Sequence, residues 1–415
     1  MNILKGSAIA LILRVLSAMV SFIVAASITR NLGTEQAGLY FYATSLIVLL
    51  VSLCGLGLNN TVLKYVSIFH NQKDNDKLNG VVNKSILWVV TFSFFIIILI
   101  AIYLNSFYHS LAQDHLYLFL FLFTIPSLAI TALISHAIQA KGNVAASMII
   151  AGLIQPLSFL LINLLIKPKD ITGLAECYLI SVTFALLVCL IYWVRRNNFT
   201  LNINFESKVL LASCSSLLVF QVFQQFNTVI GQLFLGVWGT NTEIAIFAVS
   251  IKVATLTSFI MFAVNRVVAP KFASLYADND MEGLRKAVIQ SKLIMLVATL
   301  PLILILLIFP EFILSLFGTE YIANVTILRV LALVQFFSVW VGSVSYLLIM
   351  TGQEKSHRNN VIISTVLSSI IGCIIVPYHP LWGAVIISGL CVTMTCYLSS
   401  RVVTKELNIK TFSLF

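Results

Sequence analysis

The chain has 415 residues; 60% are hydrophobic, only 10% are charged, and the net charge is +10, with a mean hydropathy of +1.01. Soluble domains carry about 25% charge, so this composition excludes a soluble globular fold. The basic excess, spread over segments between apolar runs, reads as membrane topology and not as a nucleic-acid surface.

Apolar runs near the length of a bilayer crossing recur along the whole chain. We read twelve spans, at about 8–28, 37–58, 85–104, 116–138, 144–166, 174–194, 209–235, 244–264, 290–309, 325–350, 360–376 and 383–400. Each is long enough to cross a hydrocarbon core of roughly 30 Å at about 1.5 Å per residue. The runs show no strand-like alternation, which selects helices over a barrel. The first span is too long for the apolar core of a signal peptide and is read as retained. Pro126, Pro156 and Pro301 fall inside spans, where they mark expected kinks.

Charge orients these spans. With a cytoplasmic N-terminus, 18 of the 25 Lys and Arg fall in cytoplasmic segments, 3 on the opposite side and 4 within spans. That bias puts both termini in the cytoplasm.

The spans also repeat. Lys64-Tyr65-Val66-Ser67-Ile68-Phe69 matches Lys271-Phe272-Ala273-Ser274-Leu275-Tyr276, 207 residues later; Gly33-Thr34 matches Gly239-Thr240; Arg195 matches Arg401. Six spans return the chain to its starting side, so the halves run parallel. The expected fold class is an all-α membrane protein: two parallel six-helix bundles, residues 1–196 and 209–415, joined by a cytoplasmic linker at 197–208.

No enzyme is expected. The loops leave no room for a soluble catalytic domain. Neither G-x-x-x-x-G-K, G-x-S-x-G nor H-E-x-x-H occurs, so nucleotide hydrolysis and the common hydrolase chemistries lack their residues. The seven cysteines sit in or at the edge of apolar segments without metal-ligand spacing, and six scattered histidines add none, so no metal or cofactor is assigned. Asp74-Asn75-Asp76 and Asp278-Asn279-Asp280 each precede a helix and read as N-caps.

The charges left inside the spans are cations: Arg14, Lys252, Lys292 and Arg329. A cation at the centre of a bilayer costs roughly 2.5–3.5 kcal/mol on insertion scales, so it faces a cavity or a partner. Lys252 lies mid-span and is the foremost lumen candidate. Arg14 and Arg329 lie nearer span ends, where snorkelling is the competing reading, and snorkelling is the expectation for Lys292. Glu176 is the one acid at a span edge and the candidate for ion coupling. Gln221, Gln224 and Gln225 share a helix face, where their amides either bind sugar hydroxyls or bond neighbouring helices. A cavity with cations and few acids attracts an anion.

Arg30-Asn31-Leu32-Gly33-Thr34-Glu35-Gln36-Ala37-Gly38-Leu39-Tyr40 resembles the R-x-L-G-x-x-x-x-G-x-Y signature of polysaccharide flippases. Leu316-Phe317-Gly318-Thr319-Glu320-Tyr321 and Trp382-Gly383-Ala384-Val385-Ile386 resemble two further elements of the same proteins. The whole chain is similar to the Wzx-type O-antigen and capsule flippases of the multidrug/oligosaccharidyl-lipid/polysaccharide superfamily. The resemblance implies two bundles around a central cavity in the bacterial inner membrane. It implies an undecaprenyl-pyrophosphate-linked oligosaccharide as cargo, moved from the cytoplasmic to the periplasmic leaflet by alternating access, with other polysaccharide-assembly membrane proteins as partners. Arg14, Lys252 and Arg329 would then meet the pyrophosphate or acidic sugars, and Arg30 and Gly33 would form structural turns. The competing readings are a multidrug or metabolite antiporter of the same superfamily, which calls for buried acids, and a membrane polysaccharide polymerase, which calls for a large periplasmic loop.

Overall fold

The computed structural model describes residues 3–107, 116–197, 200, 202–203, 205, 207–409 and 411. Among these residues the chain is helical throughout, without strands. Ten segments are long and apolar enough to cross a membrane. Nine of them coincide with expected spans 3–6 and 8–12. The other, Ile12–Cys54, has 43 residues, about twice what one crossing needs. It lies in α1 (Ile3–Cys54), which is broken at Gly33, where φ is 77° and ψ is 176°. A side chain rarely adopts that backbone, and glycine does so freely. Gly33 is thus a structural break between the first two expected spans. The seventh expected span is the 32-residue α9 (Ser207–Trp238).

Two compact units emerge. The first contains Met1–Leu32 and Tyr42–Gln225, the second Gly33–Phe41 and Phe226–Phe415. The signature segment from Gly33 onward therefore belongs to the second unit although the chain on either side of Gly33–Phe41 belongs to the first. Its second glycine explains part of this. A Cβ on Gly38 would lie 1.8 Å from the Asn241 carbonyl oxygen, at the start of α10 (Asn241–Ala254). Only glycine permits that approach. The helix that begins there is held by a capping box in which Thr240 and Glu243 satisfy each other's backbone N–H groups.

In the first unit, α2 (Leu58–Gln72) and α3 (Asn75–Phe107) pack with α5 (Thr124–Ala140) and α8 (Ile171–Arg196) around Leu58, Val62, Leu78, Val82, Leu133 and Trp193, all nearly or fully buried. A short helix, α4 (Leu116–Leu122), precedes α5, so the chain breaks just before Pro126. The span after α5 is α6 (Val144–Ile149), one π-turn over Ile150–Ile154, and α7 (Gln155–Ile166). Pro156 causes this interruption. Its ring lacks an N–H and displaces the carbonyl four residues back, that of Gly152. The Ser17 hydroxyl of α1 donates to that carbonyl, which is how lipid-embedded helices accommodate proline.

The expected linker, 197–208, lies in part outside the described residues, at 198, 199, 201, 204 and 206. Its described portion is docked within the first unit. Asn79 donates to the Thr200 hydroxyl at 3.1 Å, Asn83 to the Thr200 and Asn202 carbonyls at 2.8 and 3.0 Å, and Lys84 to the Phe205 carbonyl. The Phe205 ring meets Tyr65 and Phe69 of α2 edge-on.

The second unit continues with α11 (Ser258–Ala277), α12 (Met281–Ile308), a short α13 (Pro310–Ser315), α14 (Val325–Val341), α15 (Val344–Met350), α16 (Glu354–Ile375) and α17 (Pro380–Leu407). Phe272, Leu284, Leu348, Val403 and Ile409 form one of its clusters. Asp74 caps α3 by accepting from the Lys77 N–H, and Asp280 caps α12 by accepting from the Gly283 N–H. The capping role expected for the acidic triplets thus holds, but on the first acid of one triplet and the last of the other. The two caps stand 206 residues apart, closer to the offset of the surrounding repeat than the triplets themselves.

One expectation is corrected. Lys292 does not extend toward water. It is 3% exposed, its Nζ donates to the Thr411 carbonyl at 2.7 Å, and it lies 5.0 Å from the Trp340 ring centroid. A carbonyl and an aromatic face satisfy the cation inside the protein.

Candidate functional site: a charge-free polar cavity and a lysine of α10

The interruption at Pro156 opens a cavity of about 370 Å³ inside the first unit. Its polar wall comprises Ser52, Asn59, Thr131, Gln155, Tyr178, Gln221 and Gln225. Val48, Val51, Leu128 and Ile150 supply apolar surface. Four of these residues reach the cavity for a local reason. Gln155 follows the π-turn, whose extra residue re-aims the helix face. Asn59 stands in the first turn of α2, after the left-handed Leu56 and Gly57. Gln221 and Gln225 are four apart on α9 and so project together.

The polar atoms divide by whether they have partners. Thr131 donates to its own helix at the Ser127 carbonyl, and the Gln155 amide donates to the Ser181 hydroxyl at 3.4 Å. The Ser52 hydroxyl donates to the main-chain carbonyl of Gln221 at 3.4 Å, fixing α9 against α1. The side-chain oxygens of Gln221 and Asn59 are buried without a hydrogen-bond partner among the described residues. A buried acceptor left unmatched costs about 1–3 kcal/mol, so these oxygens are poised for donors. None of the lining residues is charged.

The structure brings together Gln221 and Gln225 in the cavity wall; Gln224 is exposed and does not line the cavity. Asn59, Gln155 and Tyr178 were missed by the sequence reading. The signal available was a polar residue inside an apolar run: Gln155 beside a mid-span proline, and Asn59 after a Gly-Leu-Gly turn.

The cations lie elsewhere. Lys252 is half-buried near the end of α10, with its Nζ 5.9 Å from the Phe41 ring centroid. Its described surroundings within the second unit include no carboxylate within ion-pair distance. Arg14 stands on an exposed face of α1. Arg329, exposed on α14, donates through Nε to the Leu307 carbonyl of α12 at 3.2 Å. Glu176 is exposed in the second turn of α8. Among the described residues no Asp or Glu is buried, and no group of three His, Cys, Asp or Glu could hold a metal ion.

Comparison with known proteins gives the family. A model described as polysaccharide biosynthesis protein matches residues 3–276, two thirds of the chain, and a MatE model matches residues 217–375. A search of curated protein sequences finds no match. Among solved structures, the chain is similar to the inward-facing conformation of a multidrug resistance MATE family transporter of the MOP superfamily, with a TM-score of 0.77 and 16% identity over 96% of this chain and 99% of that one. It is similar to an outward-facing MATE family transporter at a TM-score of 0.70 and 15% identity, covering 97% and 96% of the two chains. A MOP superfamily transporter from Pyrococcus furiosus, described as having a binding pocket of reversed polarity, matches at 0.70 with 13% identity over 98% and 95%. The chain has the two-lobed, all-helical fold of these membrane transporters, and it belongs to the polysaccharide biosynthesis protein family.

Proposed function

We propose that the protein is a flippase. It carries an undecaprenyl-pyrophosphate-linked oligosaccharide, an O-antigen or capsule repeat unit, from the cytoplasmic to the periplasmic leaflet of the bacterial inner membrane by alternating access. The observation that carries this reading is the charge inventory of the spans: Lys252 lies within an apolar segment long enough to cross a membrane, with no carboxylate in ion-pair distance among the described residues, and no described acid is buried. A diphosphate cannot cross hydrocarbon unaided, since burying even one small ion costs about 20 kcal/mol in the Born limit. A cation held in the membrane offsets part of that cost. The family match supports a polysaccharide cargo.

In this proposal Lys252 contacts the pyrophosphate, with Arg14 and Arg329 as further anion contacts. Gln221, Gln224 and Gln225 serve the sugar hydroxyls, and Glu176 is the candidate for ion coupling. A cation-exporting antiporter would use a buried carboxylate, which the described spans lack.

The test is genetic and chemical. In a strain lacking the protein, lipid-linked oligosaccharide is expected to accumulate on the cytoplasmic leaflet. Its normal appearance on the periplasmic side would contradict the proposal.

A further inference from the structure

We infer that the cavity of the first unit is a subsite for an uncharged, donor-rich sugar ring and that it rejects an acidic one; this rests on the flippase reading. The two partnerless oxygens set the chemistry. The side-chain oxygens of Gln221 and Asn59 are buried acceptors without hydrogen-bond partners among the described residues, and both residues line the cavity. They call for a guest that brings O–H or N–H groups. Sugar hydroxyls and acetamido groups bring them. Carboxylates and phosphates bring only acceptors.

The absence of charge among the lining residues acts in the same direction. An ionised carboxylate placed there loses its water and finds no cation in return. A cationic drug finds no counter-charge either. The remaining wall suits the other half of a sugar ring, because Val48, Val51, Leu128 and Ile150 offer apolar surface to its C–H face. About 370 Å³ lies in the range of small-molecule sites. The cavity is therefore a selectivity element separate from Lys252: neutral sugar here, anionic diphosphate there.

The purified full-length protein in detergent is melted with a panel of neutral methyl glycosides, including methyl glucoside and methyl N-acetylglucosaminide, and with methyl glucuronide. At least one neutral glycoside is expected to raise the melting midpoint in a dose-dependent way, with an apparent affinity at least tenfold above that for the glucuronide. Gln221→Leu and Asn59→Leu should each weaken the neutral glycoside about tenfold. Equal stabilisation by glucuronide and neutral glycosides overturns the inference. So does the lack of any shift in the wild-type protein, or an unchanged shift in both variants. Transport of prenyl-diphosphate-linked sugars by reconstituted protein separates the two claims. Glycoside binding without transport removes the flippase reading and keeps the subsite, whereas transport without glycoside binding does the reverse.

Discussion

The ammonium of Lys292 donates to the main-chain carbonyl of Thr411 across 2.7 Å. The same bond occurs in the first unit, where Lys84 of α3 donates to the carbonyl of Phe205. The acceptors stand 206 residues apart, the offset of the internal repeat. In each unit the segment that follows the sixth expected span folds back onto the helix opened by an aspartate cap. Aromatic residues close both contacts: Tyr65 and Phe69 around Phe205, and Trp340 beside Lys292. The linker of one half and the tail of the other are thus the same structural part.

Lys292→Met should loosen the tail without unfolding the helices. A hydrogen bond to a charged donor is worth about 1.5–3 kcal/mol, and the Thr411 carbonyl loses it. Amide exchange at residues 407–409 and 411 is expected to rise about tenfold or more, while exchange in α14 stays unchanged. Lys84→Met should do the same to the described linker residues around Phe205. Unchanged exchange in both variants contradicts the shared role.

Gly38 and Gly33 should respond differently to alanine. At Gly38 a Cβ would meet the Asn241 backbone at 1.8 Å, and neither backbone can yield cheaply. Gly38→Ala is expected to abolish monodisperse protein in size-exclusion chromatography. At Gly33 a Cβ meets nothing within 4 Å, and the cost is the positive φ alone, about 1–3 kcal/mol. Gly33→Ala should yield folded protein with a lowered melting midpoint.

Asp74 supplies a pH prediction. Its carboxylate accepts from the Lys77 N–H at 3.0 Å and pairs with the Lys77 ammonium at 3.0 Å. The backbone N–H bond foremost, then the lysine side chain, hold its pKa below the usual carboxylate value. A depressed folded-state pKa gives stabilisation that is present above the unfolded pKa and lost as pH falls through the folded one. The protection factor of the Lys77 amide, its exchange rate divided into the intrinsic rate at the same pH, should therefore fall as the medium is acidified through and below the carboxylate range. Asp74→Asn keeps a good cap and should remove that pH dependence.

The helical plan was legible because lipid leaves little choice: a run of twenty apolar residues has one satisfactory backbone. The repeat was legible from Lys64 and Lys271, and the caps from the acidic triplets. The position of Lys292 was not, because a lysine near a span end reads as snorkelling unless the tail that meets it is known. The cavity was half legible. The spacing of Gln221 and Gln225 placed them on one face, but Asn59 and Gln155 converge on that face only through a left-handed turn and a π-turn, and neither has a periodic signature.

Lys252→Ala should abolish export of surface polysaccharide at normal protein level, and Lys252→Arg should retain part of it, because the charge and not the shape is required. Full export by Lys252→Ala would refute the role assigned to that lysine.

The central claim is transport of a lipid-linked sugar, and reconstitution measures it directly. Purified protein in liposomes receives a fluorescent prenyl-diphosphate-linked neutral oligosaccharide, and an impermeant reagent reports which leaflet holds it. The account predicts equilibration between leaflets many times faster than in protein-free liposomes, and a loss of that acceleration with Lys252→Ala. Equal rates with and without wild-type protein, alongside efflux of a cationic dye by the same preparation, would contradict it.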